Sequence, residues 1–114
     1  MADLPFTPFI ETNDLVFFSG KIELTPEGKV LEGTIAEKTA QVMKNILSEL
    51  KNARLDASNI VSAQVFLTDM KDYQEFNEEY VKHLVKPYPA RFVVAVKELP
   101  LDAKVEISVV ASKK

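Results

Sequence analysis

The sequence predicts an α/β (α+β) domain, one mixed β-sheet with two helices packed on the same face. Two segments carry apolar residues at helical spacing, and several short segments rich in β-branched and aromatic residues read as strands. The two kinds alternate in the order ββ(β)αβαββ, which is most economically closed as one sheet under one helical layer. At 114 residues, positions 1–114 are expected to form a single domain with one core.

After a proline-rich entry, the first two strands are predicted at Phe9 to Glu11 and Leu15 to Phe18, turned by Asn13-Asp14 and ended by Ser19-Gly20. A third, Ile22 to Leu24, is expected to pair with Lys29 to Leu31 across Thr25-Pro26-Glu27-Gly28. Thr34-Ile35-Ala36-Glu37 is a capping box, because the Thr hydroxyl and Glu carboxylate each satisfy a backbone donor left over at a helix start. The helix it opens carries Ile35, Val42, Met43, Ile46, Leu47 and Leu50 on one stripe and runs to about Ala53.

Ile60 to Leu67 alternates as a half-buried strand, with Val61, Ala63, Val65 and Leu67 on one face. A second helix follows, capped by Asp69 or Asp72, with Met70, Tyr73, Phe76, Tyr80, Val81 and Leu84 inward. Pro87-Tyr88-Pro89 stops it, and Phe92 to Val96 and Lys104 to Ala111 complete the sheet. Val94, Val96, Val105, Ile107, Val109 and Val110 cannot all point at the helices if these strands alternate. The other sheet face is therefore expected to be partly apolar and buried against a partner subunit, in a cyclic oligomer with pockets where subunits meet.

Composition removes several function classes. A net charge of −3 with interspersed signs gives no positive field to gather phosphates, so nucleic acid is not expected as a partner. There is no cysteine and one histidine, His83, which argues against disulfides, thiolate nucleophiles and the usual metal sites. No apolar run approaches the roughly 18 residues of a membrane span, and the first residues do not read as a leader, so no membrane partner and a cytoplasmic location are expected. Gly-rich phosphate loops, HExxH helices and GxSxG elbows are also missing from the sequence.

Two charged residues stand in apolar strands. Arg91 lies at the start of one, where a guanidinium needs a partner: an internal ion pair with Glu106 or another acid, or the carboxylate of a small-molecule ligand held by the planar fork. Glu106 lies between Val105 and Ile107; facing inward it would have a raised pKa and could orient or deprotonate water, and facing outward it would be a solvated edge residue. Asn77, on the apolar stripe of the second helix, needs hydrogen-bond partners, and Ser19, at a strand end, is either a ligand donor or a turn residue.

Leu15 to Gly20, Val65-Phe66-Leu67-Thr68-Asp69-Met70, Phe76-Asn77-Glu78-Glu79-Tyr80, and Pro89-Ala90-Arg91 through Leu99-Pro100 to Val105-Glu106-Ile107 together resemble the reactive intermediate deaminase (Rid, YjgF-like) family, also described as endoribonuclease L-PSP. The resemblance spans nearly the whole chain. It implies a chorismate-mutase-like fold, a homotrimer with a central barrel, and cofactor-free hydrolysis of 2-imino acids such as 2-iminobutanoate and 2-iminopropanoate to 2-oxo acids and ammonia. It also implies that Arg91 holds the substrate carboxylate, that Glu106 positions the water, and that Ser19, Asn77, Phe6 and Phe92 lie at the pocket. Phe6 stands where many members carry a tyrosine, Phe92 and Val93 where small or thiol residues are usual, and Ser108 where a second acid is found. A trimer that binds 2-oxo acids without turnover, and an endoribonuclease or translation inhibitor, are the alternative readings.

Overall fold

The computed structural model describes residues 4–114. Strands β1 (Phe9–Glu11), β2 (Leu15–Phe18) and β3 (Lys21–Ile22) precede helix α1 (Ile35–Asn52); β4 (Ile60–Leu67), α2 (Tyr73–Tyr80), β5 (Ala90–Ala95) and β6 (Val105–Ser112) follow. They form one six-stranded sheet in the order β1-β2-β6-β4-β5, with β3 beside β6. Among the paired strands of the described residues β4 and β5 alone are parallel, and the helical crossover between them makes that pairing possible. Element order, sheet and helical layer agree with the sequence.

One face of the sheet carries the core. Val16 and Phe18 of β2, Ala63, Val65 and Leu67 of β4, and Val105, Ile107, Val109 and Ala111 of β6 pack with Val42, Met43, Ile46 and Leu50 of α1 and Phe76 and Tyr80 of α2. Helix α1 starts at the expected capping box: Glu37 N donates to Thr34 Oγ1 at 3.1 Å and Thr34 N to Glu37 Oε1 at 2.8 Å. A further helix-start donor, Ala36 N, reaches Glu75 Oε2 of α2 at 3.0 Å, which ties the two helices at one end.

Four expectations need correction. Val61 is 44% exposed because a bulge between Ile60 and Ser62 shifts the strand by one residue and turns Val61 away from Ala63. The hairpin expected at Ile22 to Leu24 forms around a bridge from Leu24 to Val30, with Leu31 N donating to Glu23 O and Thr25 N to Lys29 O, but the regular strand is Lys21–Ile22, paired to β6. Helix α2 is short, with single 3-10 turns at Met70–Asp72 and Val81–His83, so Met70, Tyr73 and Val81 face solvent. Asp69 caps the first of these turns through Lys71 N at 2.9 Å, whereas Asp72 makes no side-chain cap. Strand β5 pairs only with β4, so Arg91 lies on an edge strand, half-buried.

The opposite sheet face is mixed. Ser62, Gln64 and Ser108 form a hydrogen-bonded line across it, with Ser108 Oγ donating to Gln64 Oε1 at 3.1 Å. Phe17, Phe92 and Val94 stand exposed around that line, while Val105, Ile107 and Val109 all turn to the helices. The prediction that strand alternation would leave apolar groups on this face holds for Val94 and Val110.

Candidate functional site

Strand register decides how the two charged candidates relate. Arg91 lies beside Ala63, a core-facing residue, and Glu106 beside Phe66, one step out of phase on the same strand β4. Side chains alternate along a strand, so Arg91 and Glu106 point to opposite faces of the sheet. The ion pair between them that the sequence allowed does not form, and among the described residues Arg91 meets no carboxylate within salt-bridge distance.

Arg91 is instead held by helix α2. Its Nη2 donates to Asn77 Oδ1 at 2.6 Å and to the Tyr73 hydroxyl at 3.3 Å. The guanidinium carbon lies 5.0 Å from the ring centre of Tyr80, 5.8 Å from Tyr73 and 5.9 Å from Phe76, distances at which a cation is attracted to an aromatic face. Tyr73, Phe76, Asn77 and Tyr80 fall three and four apart, which is what puts them on one side of α2. Asn77 thereby gains the partner its place on the apolar stripe demanded. Among the described residues the group has no acid beside it, and its Nη1 and Nε make no hydrogen bond.

The phenols around it respond differently. The Asn77 amide and then the Arg91 charge hold the Tyr73 phenol below its ordinary value. Burial pushes the Tyr80 phenol up against the opposing effect of Arg91, and its oxygen is buried without a hydrogen-bond partner.

Glu106 occupies a different cleft, of roughly 850 Å3, together with Phe6, Ser19, Gly20, Lys21, Glu49 and Pro100. It is half-buried, has no hydrogen-bond or ion-pair partner among the described residues, and its carboxyl is raised above the usual range by loss of water. Gly20 leaves room for this side chain: a Cβ on it would meet the Glu106 carboxylate. Ser19 donates its hydroxyl to Thr7 O at 2.6 Å and its N–H to Pro8 O at 3.0 Å, which fixes the entry segment so that Phe6, 54% exposed, stands at the cleft. The serine lines the cleft with its hydroxyl hydrogen spent on the entry segment. Phe92, one residue beyond Arg91, turns to the Glu106 side of the sheet and meets Phe66 edge-on at 5.9 Å.

One chain thus brings Arg91 together with Asn77, and Glu106 together with Ser19 and Phe6, and keeps the two groups apart. Sequence reasoning missed Tyr73, assigned to the apolar stripe, and Glu23, a wholly buried carboxylate that accepts from Lys104 N at 2.8 Å and Val105 N at 3.2 Å and faces Lys38 Nζ at 3.4 Å. The spacing of Tyr73 to Asn77 could have flagged the first; nothing local marks the second, since the backbone donors it binds lie some eighty residues away in sequence. His83 bonds Glu79 one turn away at 2.7 Å. No cluster of three or more His, Cys, Asp or Glu able to hold a metal ion occurs among the described residues.

Comparison with known proteins adds a family. Residues 1–113 match the model of the family described as endoribonuclease L-PSP. The mitochondrial protein MMF1 of Saccharomyces cerevisiae is 39% identical over 113 residues, covering 99% of this chain and 78% of that protein. Reactive Intermediate Deaminase A, chloroplastic, of Arabidopsis thaliana is 39% identical over 109 residues, 95% of this chain and 58% of that protein. Among solved structures, RidA from an Antarctic Psychrobacter superposes with a TM-score of 0.91 at 31% identity, covering 98% of this chain and 91% of that one. Among the described residues no helix is long and apolar enough to cross a membrane.

Proposed function

The chain belongs to the endoribonuclease L-PSP family, which includes the reactive intermediate deaminases, and on that premise we propose that it hydrolyses reactive 2-imino acids to 2-oxo acids and ammonia. The observation that carries this reading is Arg91: a half-buried guanidinium oriented by Asn77 and three aromatic rings, with no protein carboxylate spent on it among the described residues. Such a group matches a small carboxylate ligand, to which its Nη1 and Nε donors remain open. Glu106 supplies the complementary chemistry, since burial raises its carboxyl toward the working range of a general base.

In the proposed reaction Arg91 anchors the carboxylate and Glu106 takes a proton from the attacking water as its oxygen bonds the imine carbon. The proton then passes from Glu106 to the nitrogen, the C–N bond breaks as the hydroxyl oxygen forms the carbonyl and gives up its own proton to Glu106, and a 2-oxo acid and ammonia leave. The protonated imine is already electrophilic, so positioning and roughly 10²-fold to 10⁴-fold of acid/base assistance suffice, and no cofactor is called for.

Because Arg91 and Glu106 face opposite sides of one sheet, the site requires a second copy, so that Arg91 of one protomer meets Glu106 of its neighbour. Three copies closed around the mixed sheet face, with Phe17, Phe92 and Val94 buried between them, complete the proposal as a homotrimer. We keep the cytoplasmic location as part of it, although the two relatives above bear mitochondrial and chloroplastic names. The test is release of 2-oxobutyrate from freshly generated 2-iminobutyrate above the spontaneous rate. Acceleration by the native chain and none by Arg91→Ala is the expected result; if both match the spontaneous rate, the chain is a binder rather than a deaminase.

A further inference from the structure

We propose that Tyr73 is a further substrate-binding residue, whose hydroxyl donates to the carboxylate that Arg91 holds. The proposal rests on Arg91 as the carboxylate site and adds a residue and a direction to it.

Three side chains besides Asn77 surround the guanidinium, and they are not equivalent. Phe76 has no polar atom and is fully buried, and Tyr80 is 3% exposed, its oxygen buried without a hydrogen-bond partner among the described residues. Tyr73 alone of the three is both polar and accessible, at 39% exposure. Its oxygen accepts from Arg91 Nη2, so its own hydrogen remains available to an outside acceptor. Asn77 and Tyr73 together occupy Nη2, which leaves Nη1 and Nε for an incoming anion. A carboxylate that takes Nη1 has a second oxygen to satisfy, and the adjacent phenol is the exposed donor. The Asn77 amide and the Arg91 charge polarise that phenol and strengthen it as a donor.

Position on the helix supports a binding role over a structural one. Tyr73 opens α2, just after the turn capped by Asp69, and its ring is not part of the buried core. Replacing the hydroxyl by hydrogen therefore removes the ligand contact and the long hydrogen bond from Arg91, which Asn77 still holds at 2.6 Å, and little packing.

The experiment is calorimetric titration of 2-oxobutyrate into the native chain, Tyr73→Phe and Arg91→Ala, with thermal melting of each and steady-state hydrolysis of 2-iminobutyrate alongside. Tyr73→Phe should melt with the native chain, bind 2-oxobutyrate about tenfold more weakly, and raise KM by a similar factor with kcat little changed, as loss of one hydrogen bond to a charged group requires. Equal affinity in the native chain and Tyr73→Phe, with binding lost in Arg91→Ala, overturns the role of Tyr73 and leaves that of Arg91. Unchanged binding with reduced kcat overturns it equally. If the native chain neither binds 2-oxobutyrate nor accelerates hydrolysis, both readings fall together.

Discussion

Glu23 and Glu106 both lie against β6 and are treated in opposite ways. Glu23, fully buried, has its oxygens filled by the N–H groups of Lys104 and Val105 and faces the Lys38 ammonium, which also donates to Leu31 O. Glu106, only two residues beyond Lys104, is half-buried, sits over a glycine, and has no partner among the described residues. Burial by itself does not mark a functional acid. The saturated carboxylate clamps the start of β6 and so holds its neighbour in place; the unsaturated one is left able to exchange a proton.

That contrast predicts a separation of activity from stability. The largest effect is expected for Glu106→Gln, which should lower kcat by about 10²-fold to 10⁴-fold while the melting temperature stays close to native. Next, Glu23→Gln should destabilise by about 3 kcal/mol, measured by urea unfolding, because it leaves Lys38 and a backbone donor facing the wrong group in a dry site. A Glu106→Gln protein that unfolds, or a Glu23→Gln protein of native stability, would reverse the assignment.

Smaller changes sharpen it. Gly20→Ala displaces only the end of the Glu106 side chain, so it should cost roughly tenfold in kcat with less than about 1 kcal/mol in stability. The smallest effect is on pH. The folded pKa of Glu106 is raised above its unfolded value, so the native state binds the extra proton and loses this contribution to stability as pH climbs through the interval between the two. The slope should vanish in Glu106→Gln. The same shift moves the acid limb of kcat/KM above the ordinary carboxylate range, because the base form is lost earlier as pH falls.

Much of the scaffold was legible because local rules act alone there. The Thr34 to Glu37 box started α1 at Ile35, and alternation placed β4 at Ile60–Leu67 and turned Ala63, Val65 and Leu67 inward. Val61 escaped the same rule because a bulge depends on how a strand meets its partner, which a single-strand pattern does not encode. Met70 and Val81 were misplaced for a related reason: 3-10 turns flank a short α2, and the helical stripe was extended through them. Arg91, Glu106 and Asn77 could be picked out as polar residues in apolar surroundings. Their facing could not, since it follows from the pairing of β4 with β5 and β6, and that pairing puts Arg91 and Glu106 back to back.

A site divided in this way between copies has a direct test. Arg91→Ala and Glu106→Gln, each inactive alone, should be mixed, dissociated and reassembled at equal concentrations, and 2-iminobutyrate hydrolysis measured against both separate controls. If each site takes Arg91 from one copy and Glu106 from the next, random assembly restores both natural residues in about a quarter of the sites, and activity should recover to that fraction of native. Activity that stays at the level of the separate variants would contradict a shared site.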